Sequence, residues 1–397
     1  MEQDKFLRAF AKLDLNHDNR LSQKEIDEAV IDSSIDSGLA EIVAVLKANF
    51  QEIAELHKDG WFGRQNNISL ADILTFEHIL LQHSSDSKID TVQSLHQERQ
   101  KLTDSKTLAA IASGIMERVR DISGQKCCLY GKEGDPIESI KPDAIRQGMI
   151  GDCFFLAALN SVIATNPQII TRIIHDNHND TYTVTFPGLR DEPITVETPT
   201  LVELALYARL TEWGTWPAVL EKAYGKYQAQ FEKRPRIVAA ENSSGAERMS
   251  DALQLLTGQM GRTVPLEKLN DDELGRILTD AFREKRAVGA SSKPGKSGYT
   301  ENANIPSNHA YSVVRWDPDL SMISLRNPWG VEKRITPDQV NSHAVDRIYD
   351  GFFTLDLPHF RLNFALLYYE EWMPDDEFIE RFEAPPDSVI KNIDHPH

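Results

Sequence analysis

A glycine-bearing loop that runs directly into a strongly apolar segment constrains this chain more than any other feature. Residues 147–162 read QGMIGDCFFLAALNSV, and the part from Phe154 onward predicts a helix. Cys153 lies at the junction, where that helix would begin. Such a cysteine can be a buried thiol, a metal ligand or a nucleophile, and burial is the most common of the three for an isolated cysteine.

Cysteine content and charge narrow the class of protein. The chain has only three cysteines, Cys127, Cys128 and Cys153, which cannot form a disulfide framework and lack the second Cys-x-x-Cys pair of a zinc site. The formal net charge of −18 disfavours unassisted binding to nucleic acid or to an anionic membrane. No window predicts an integral membrane segment, and the start of the chain does not predict a signal peptide. We therefore expect a cytoplasmic protein, of unknown oligomeric state.

Residues 14–25, DLNHDNRLSQKE, follow the ligand spacing of an EF-hand calcium loop. Oxygen-bearing side chains stand at the first, third, fifth and twelfth positions, and the seventh would contribute its backbone carbonyl. The four side chains are those of Asp14, Asn16, Asp18 and Glu25, and the backbone carbonyl is that of Arg20. The pattern is typical of Ca²⁺, which takes about six to eight hard oxygen ligands. The alternative is a solvated acidic turn between two helices.

Other residues in and after this loop support the EF-hand interpretation and indicate a second loop. The sixth position holds Asn19 where glycine is usual, and asparagine tolerates a positive φ well. Ser22 and Glu25 predict a capping box that opens the exiting helix. With Ile68 as the eighth position of a second loop, the ligand positions hold Trp61, Gly63, Gln65 and Asp72, so that loop is degenerate. We predict a small all-α, EF-hand-like domain over residues 1–85 with one Ca²⁺ site.

The pattern changes along the rest of the chain. Residues 86–135 are assigned as a helical linker because the segment from Ser84 is polar. Further on, FFLAALNSVIAT and WPAVLEKAYGKY predict helices, whereas AYSVVRWD, MISLRNPW and GFFTLDLPHF predict strands. This order predicts an α+β enzyme with a helical subdomain over 136–240, a β-rich subdomain over 241–375 and a tail over 376–397.

Three polar side chains can supply what a catalytic thiol needs. A helix N-terminus lowers the pKa of a cysteine placed there, which favours the nucleophilic thiolate. Gln147 offers an amide donor for a developing oxyanion. His309 precedes a strand-like run and can act as a base, and Asn327 in a second run can hold the imidazole tautomer. Cysteine, histidine and asparagine in that chain order are the papain-type arrangement.

Four segments resemble the calpain cysteine protease core: QGMIGDCFFLAALNSV, WPAVLEKAYGKY, NHAYSVVRWD and LRNPWG, in this order. The resemblance implies a papain-like core of two subdomains and a calcium-dependent intracellular cysteine endopeptidase. Such an enzyme cuts protein or peptide substrates through a thioester acyl-enzyme. It also implies Cys153 as nucleophile, Gln147 as oxyanion donor, His309 as base and then acid, and Asn327 as the group that orients His309.

Some positions differ from the family pattern. Phe154 follows the cysteine where the family has tryptophan, and Asn308 precedes the histidine where the family has glycine. Ala144 stands where a carboxylate of the core's own Ca²⁺ site is expected, so we do not predict that site. Trp329 matches a tryptophan that shields the histidine–asparagine bond. Two alternatives stay open: a catalytically retired, calpain-like calcium-binding scaffold, and acyl transfer to an amine by the same chemistry.

Overall fold

The computed structural model of this 397-residue chain combines helices with antiparallel sheets, so the predicted α+β class is confirmed. The structure describes residues 5–57, 66–83, 105–125, 127–131, 135–189, 192–231, 236–243, 248–295, 300, 305–330 and 350–371. Among the helices in these ranges, none has the length and apolar character needed to cross a membrane. The predicted tail, 376–397, lies outside the described residues, and the predicted domain boundaries stay predictions.

The first part of the chain is helical, with one two-stranded ribbon. Its helices are α1 (Lys5–Leu13), α2 (Gln23–Ile31), α3 (Ser37–Ala48), α4 (Phe50–Ala54) and α5 (Leu70–His83), and its strands are β1 (Arg20–Ser22) and β2 (Asn67–Ser69). The strands pair antiparallel and place Leu21 opposite Ile68, both fully buried. Helices α3 and α4 are separated at Asn49, whose side chain donates to the Val45 carbonyl (2.9 Å).

Helix α6 (Ser105–Ser123) belongs to the core and is more than a connector. Its apolar face is buried among the N-terminal helices, as expected for apolar residues at helical spacing. Of the predicted helical linker, 86–135, residues 86–104 lie outside the described residues. The same apolar cluster includes Met149 and Ile150, from the loop before Cys153. The N-terminal helices and that loop therefore share one core.

The helix that begins at Cys153 is buried on every side. This helix, α7 (Cys153–Thr165), has its residues from Phe154 to Ile163 all buried, because the segment is apolar around its whole circumference. It packs against the helix Met249–Thr257 and against two strands, Val288–Ser292 and Ala310–Asp317. The other helices of this part are α8 (Gln168–Ile173), α9 (Leu201–Leu206) and α10 (Trp216–Phe231), and a small antiparallel sheet contains β3 (Ile174–Asp176), β4 (Thr181–Val184) and β5 (Ile194–Glu197).

The largest sheet among the described residues is six-stranded and antiparallel, in the order β10-β9-β8-β7-β11-β6. Its strands are β6 (Met260–Pro265), β7 (Val288–Ser292), β8 (Ala310–Asp317), β9 (Met322–Arg326), β10 (Phe352–Asp356) and β11 (Phe364–Glu371). Helices α11 (Met249–Thr257), α12 (Asp271–Arg283) and α13 (Leu357–Asn363) accompany it. The strand expected over GFFTLDLPHF ends early, because the Asp356 carboxylate caps α13 and Pro358 occupies its first turn.

A buried lysine joins the N-terminal helices to the rest of the molecule. Lys47 on α3 contacts Asp27 on α2 (Nζ–Oδ1 2.5 Å) and Glu241 in the short 3₁₀ segment Ala239–Ser243 (Nζ–Oε1 2.8 Å). The Lys47 side chain is only 4% exposed. A buried cation between two carboxylates is costly to remove, because each carboxylate then lies in a low-dielectric site without its partner.

We expect Lys47→Ala to lower the free energy of unfolding by about 3–5 kcal/mol at neutral pH, because it leaves Asp27 and Glu241 without their cation. Urea unfolding followed by intrinsic fluorescence measures this loss. Lys24→Ala is the matched control, since Lys24 pairs with Glu28 at an exposed position and should contribute about 1 kcal/mol or less. Equal unfolding midpoints for the two variants would contradict a structural role for Lys47.

Candidate active site

Cys153 is the first residue of α7 and lies against the start of strand β8. The backbone N–H groups of Ala310, Phe154 and Cys153 itself lie close enough to its sulfur to lower the pKa of the thiol. Ala310 follows His309 in the chain, so this contact brings the predicted nucleophile next to the predicted base. Cys153 as a residue is partly exposed, whereas its thiol is buried. The helix N-terminus therefore places the sulfur beneath the surface, next to the start of β8.

His309 and Asn327 form the side-chain hydrogen bond that the sequence predicts. His309 Nε2 lies 2.8 Å from Asn327 Oδ1. The same oxygen accepts the backbone N–H of Trp329 (2.9 Å), which fixes it as the acceptor end of the amide. Because an amide oxygen only accepts, Nε2 must carry the proton, and Nδ1 is left as the lone-pair nitrogen of the neutral ring. That tautomer can take a proton from a thiol.

Trp329 covers the imidazole. Its ring centroid lies 4.4 Å from that of His309, with 40° between the ring planes, and Tyr311 contacts the imidazole edge-on at 5.0 Å. His309 and Trp329 are only 5% and 4% exposed. This packing matches the shielding role implied for Trp329, because a hydrogen bond that water cannot reach is electrostatically stronger.

The backbone of His309 is held by a serine that the sequence analysis did not single out. Ser292, at the end of β7, accepts the His309 N–H on its hydroxyl (3.0 Å) and donates its own N–H to the His309 carbonyl (2.9 Å). Asn308 adopts a left-handed conformation with φ of 52°, which glycine or asparagine accepts readily. The asparagine therefore reproduces the turn that a glycine would make before the histidine.

Gln147 is buried and joined to both halves of the site. Its side-chain Nε2 donates to the Ile150 carbonyl (2.7 Å), which fixes the amide and leaves one further N–H on the same nitrogen. Its backbone N–H donates to the Pro328 carbonyl (2.8 Å), in the turn that follows Asn327. This backbone hydrogen bond therefore connects Gln147, the predicted oxyanion donor, to the residue next to Asn327, the predicted orienting residue.

The loop before Cys153 rests on the segment that follows α9. Met149 donates its N–H to the Leu206 carbonyl (2.6 Å), and the Arg209 N–H reaches the Arg146 carbonyl (2.7 Å). A Cβ on Gly148 would lie 1.9 Å from the Tyr207 carbonyl oxygen, so this close approach requires glycine. Gly151 differs, because nothing lies within 4 Å of the position that its Cβ would take.

Three arginines tie the cysteine side of the site to the histidine side. Arg209 Nη2 donates to the Trp329 carbonyl, and the fully buried Arg326 donates from Nη2 to the Ile145 carbonyl (2.8 Å). Arg146 pairs with Asp350 (Nη2–Oδ1 3.1 Å). Ala144 is buried and brings no carboxylate to this junction. Across the part of the chain that the structure describes, no cluster of three histidine, cysteine or acidic side chains is arranged to hold a metal ion.

The environment of Cys153 favours the neutral thiol as long as the His309 imidazole has not taken the thiol proton. Burial raises the pKa of Cys153 to about 11, the Ala310 N–H lowers it, and the negative charge of Asp152 raises it. A thiol with a raised pKa carries its proton at neutral pH. A nucleophile at this position therefore needs a base that removes the proton, which the neutral His309 tautomer can do.

The predicted metal ligands of residues 14–25 belong to one hydrogen-bonded loop, but Asp14, Asp18 and Glu25 are not clustered as a metal site requires. Asp14 accepts the N–H groups of Asp18 (3.1 Å) and Asn19 (2.9 Å), and Glu25 accepts those of Leu15 (3.2 Å) and Ser22 (2.8 Å). Asn19 has φ of 60°, as expected for the sixth position, and the predicted capping box at the start of α2 is confirmed. Asn16 and Asp18 also accept loop N–H groups, and Arg20 begins β1. The predicted second loop spans 61–72, of which 61–65 lie outside the described residues, and its last position, Asp72, accepts the Ser69 N–H (2.8 Å).

A family comparison identifies the class of protein. Residues 125–341, more than half of the chain, match the family described as calpain family cysteine protease. The chain belongs to the calpain family. Members of this family are described as cysteine proteases.

Individual calpains are similar over the same region. The calpain-type cysteine protease DEK1 of Arabidopsis thaliana is 30% identical over 227 residues, which are 53% of this chain and 10% of that protein. Calpain-14 of Homo sapiens is 29% identical over 205 residues, 46% of this chain and 27% of that protein. Calpain clp-4 of Caenorhabditis elegans is 26% identical over 212 residues. This calpain-family chain thus spans about a tenth to a quarter of the relatives it matches.

We expect His309→Ala to slow alkylation of Cys153 by iodoacetamide about 100-fold at pH 7.5, since with a pKa of about 11 roughly one thiol in three thousand is ionised there. The difference from wild type should shrink as the pH approaches 11. Peptide mass spectrometry measures the rate at each cysteine, and Cys127 and Cys128 provide internal controls whose rates should not change. Equal Cys153 rates at pH 7.5 would show that His309 does not take the proton.

Proposed function

We propose that this calpain-family chain is an active endopeptidase in which Cys153 attacks the peptide carbonyl. The observation that carries the proposal is the His309–Asn327 hydrogen bond with its Trp329 N–H partner, because it selects the imidazole tautomer that can accept the thiol proton. Cys153 at a helix N-terminus beside Ala310 supports the same assignment.

The proposed reaction runs through a thioester. His309 takes the Cys153 proton, and the sulfur attacks the carbonyl while the Gln147 amide and the Cys153 backbone N–H stabilise the oxyanion. His309 then returns the proton to the leaving amine, and water, deprotonated by the same ring, releases the acyl group. Asn327 keeps the ring oriented as it becomes charged.

We expect Cys153→Ala to lower casein hydrolysis at least 1000-fold with a melting temperature close to that of the wild type, because only the sulfur is removed. Wild type and variant are compared at saturating Ca²⁺. Cys127→Ala is the matched control and should keep wild-type activity. Hydrolysis retained by Cys153→Ala would refute the nucleophile assignment. A wild type that neither hydrolyses casein nor reacts with a thiol-directed epoxide would instead support the retired calcium-binding scaffold.

We further propose that Ca²⁺ binds the 14–25 loop and regulates the peptidase. The donor chemistry fits, because Asp14, Asn16, Asp18 and Glu25 offer hard side-chain oxygens and Arg20 offers a carbonyl. The backbone also fits, since the loop makes its turn with a positive φ at Asn19. Bound calcium would supply a charge that draws these oxygens together. Their present partners are loop N–H groups, which water or other acceptors can satisfy.

The contacts of α2 give calcium a physical route to the protease. Glu25 lies in the first turn of α2, and the Val30 carbonyl near its end accepts the Thr200 hydroxyl (2.6 Å), at the start of α9. Asp27, between them, reaches Glu241 through Lys47. Helix α9 leads into the segment that supports the Gln147 loop. A calcium-dependent movement of α2 would therefore shift the segment that supports Gln147, the proposed oxyanion donor.

We expect Glu25→Gln to move casein hydrolysis to at least tenfold higher free Ca²⁺, because the loop loses the carboxylate that closes the calcium shell. Glutamine still serves in a capping box, so α2 should stay folded. Glu28→Gln, on the exposed side of α2, is the matched control. A point variant is preferable to deletion of residues 1–85, which would expose the core shared with Met149 and Ile150. Superimposable calcium curves for Glu25→Gln and wild type would place any calcium effect elsewhere.

A further inference from the structure

The backbone of His309 lies just before the point where strand β8 enters the large sheet. Strands β7 and β8 pair antiparallel with Ser291 opposite Ala310, so the continued register places Ser292 opposite His309. The Ser292 N–H makes the ladder bond to the His309 carbonyl (2.9 Å), whereas the His309 N–H donates to the Ser292 hydroxyl (3.0 Å). A serine side chain therefore takes part in the backbone pairing where the chain turns toward the candidate active site.

The same hydroxyl also binds the other side of this turn. Ser292 Oγ lies 2.7 Å from the Pro306 carbonyl oxygen and 3.2 Å from that of His309. Because a hydroxyl has one proton, the shorter contact identifies Pro306 as its acceptor. The Pro306 carbonyl and the His309 N–H are the two groups that a β-turn over 306–309 joins directly. Here the hydroxyl links them, accepting from His309 and donating to Pro306.

The groups that this hydroxyl joins are removed from water. Ser292 is 4% exposed, and Pro306 and His309 are also buried. A buried N–H or carbonyl that loses its hydrogen-bond partner is destabilised, so without the hydroxyl the turn would shift to satisfy these groups. Among small side chains, only serine and threonine combine a donor and an acceptor on one oxygen. The contacts therefore require a hydroxyl at position 292, rather than any small residue.

Strand β7 holds the helix of Cys153 as well as the backbone of His309. At the first residue of β7, the Val288 carbonyl accepts the Ser161 hydroxyl of α7 (2.7 Å). At its last residue, Ser292 binds His309. The bond to the asparagine amide and the ring contacts orient the imidazole, whereas Ser292 holds the backbone from which the imidazole projects. The placement of the imidazole relative to α7 thus depends on both ends of β7.

We propose that Ser292 is a positioning residue of the peptidase: by joining the His309 N–H to the Pro306 carbonyl, its hydroxyl places the imidazole where it can take the Cys153 proton. The proposal rests on the proposed role of His309 as the base. Ser292 acts through His309, because its hydroxyl contacts backbone groups of the turn. A displacement of a catalytic group by about 1 Å can lower the rate up to about 100-fold, so a small shift of this turn is enough to impair the reaction.

Three full-length variants test the proposal: Ser292→Ala, Ser292→Thr and the control Ser324→Ala. We expect Ser292→Ala to lower kcat for casein at least tenfold with KM within about twofold, because the base is displaced while the substrate-binding surface is unchanged. Threonine keeps the hydroxyl and suits a strand, so Ser292→Thr should retain kcat within about threefold of wild type. Ser324 in β9 shares a hydroxyl contact with Thr354 in β10 (3.1 Å), so Ser324→Ala loses a comparable bond of the same sheet and should keep wild-type kcat.

Two further readouts do not need proteolysis. Alkylation of Cys153 by iodoacetamide at pH 7.5 should be at least fivefold slower in Ser292→Ala than in wild type, with Cys127 as the internal control. Exchange of the His309 amide proton, followed by NMR, should be at least tenfold faster in Ser292→Ala and close to wild type in Ser292→Thr.

A folded Ser292→Ala variant with wild-type kcat and a wild-type rate of Cys153 alkylation would overturn the proposal. A Ser292→Thr variant as impaired as Ser292→Ala would also overturn it, because the hydroxyl would then not be the group responsible. The same holds if Ser324→Ala loses as much activity. If Ser292→Ala does not fold, Ser292→Cys replaces it, since a thiol is a weak donor and a weak acceptor, and wild-type activity of that variant would contradict the proposal.

The fate of the Cys153 assignment can be told apart from that of Ser292. If alkylation and amide exchange change as expected but Cys153→Ala still hydrolyses casein, the positioning of His309 by Ser292 stands and the proposed nucleophile is wrong. If Cys153→Ala is inactive and Ser292→Ala matches the wild type in all three measurements, the proposed function stands and the role of Ser292 is refuted.

Discussion

The burial of α7 on all sides is the constraint on which the rest of the structure depends. A helix that is apolar around its whole circumference can be stable in water only when other elements cover every face. Here the cover comes from α11 and from strands β7 and β8, and the buried Ser161 hydroxyl donates to the Val288 carbonyl (2.7 Å). Because β8 begins directly after His309, the packing that buries α7 also delivers the imidazole to the end of the helix where Cys153 lies.

The junction between the two halves of the site is, by contrast, largely polar. Arginine side chains reach backbone carbonyls across it, and the Gln147 N–H reaches the Pro328 carbonyl. Apolar contacts tolerate small displacements of the packed groups, whereas hydrogen bonds weaken steeply when their angle or length changes. The alignment of Cys153 and Gln147 with His309 and Asn327 therefore depends on a small number of directional bonds. Small movements at that junction would change the alignment of these four side chains.

Local sequence patterns predicted most of the helices and strands discussed above. They did not predict the contacts between residues that are distant in the sequence. The strand that begins at Ala310 and the capping box of Ser22 and Glu25 follow from short-range periodicity and spacing, and both are present. Helix α13 was missed because Asp356 and Pro358 form a helix start inside a run with strand-like composition.

Within the site, Cys153, His309, Asn327 and Gln147 could be selected from the sequence because each type has a specific chemical use at its place in the papain-type order. Ser292 and Glu221 could not be selected. Their importance comes from the backbone groups they bind, His309 and Ala208, which are 17 and 13 residues away along the chain. No spacing rule encodes such contacts, because they arise only when strands and helices have packed. The same holds for Lys47, whose carboxylate partners are separated by more than half of the chain.

Helix α10 bonds both to the segment that supports the Gln147 loop and to the N-terminal helices. Glu221 and Lys222 are consecutive residues on it, and they bond in different directions. The Glu221 carboxylate accepts the Ala208 N–H, whereas Lys222 binds Glu203, which forms a capping box with Thr200. The Thr200 hydroxyl in turn binds the end of α2, the helix that exits the candidate calcium loop. Each bond in this series is buried or partly buried, so a displacement of α2 is opposed by hydrogen bonds that water does not readily replace.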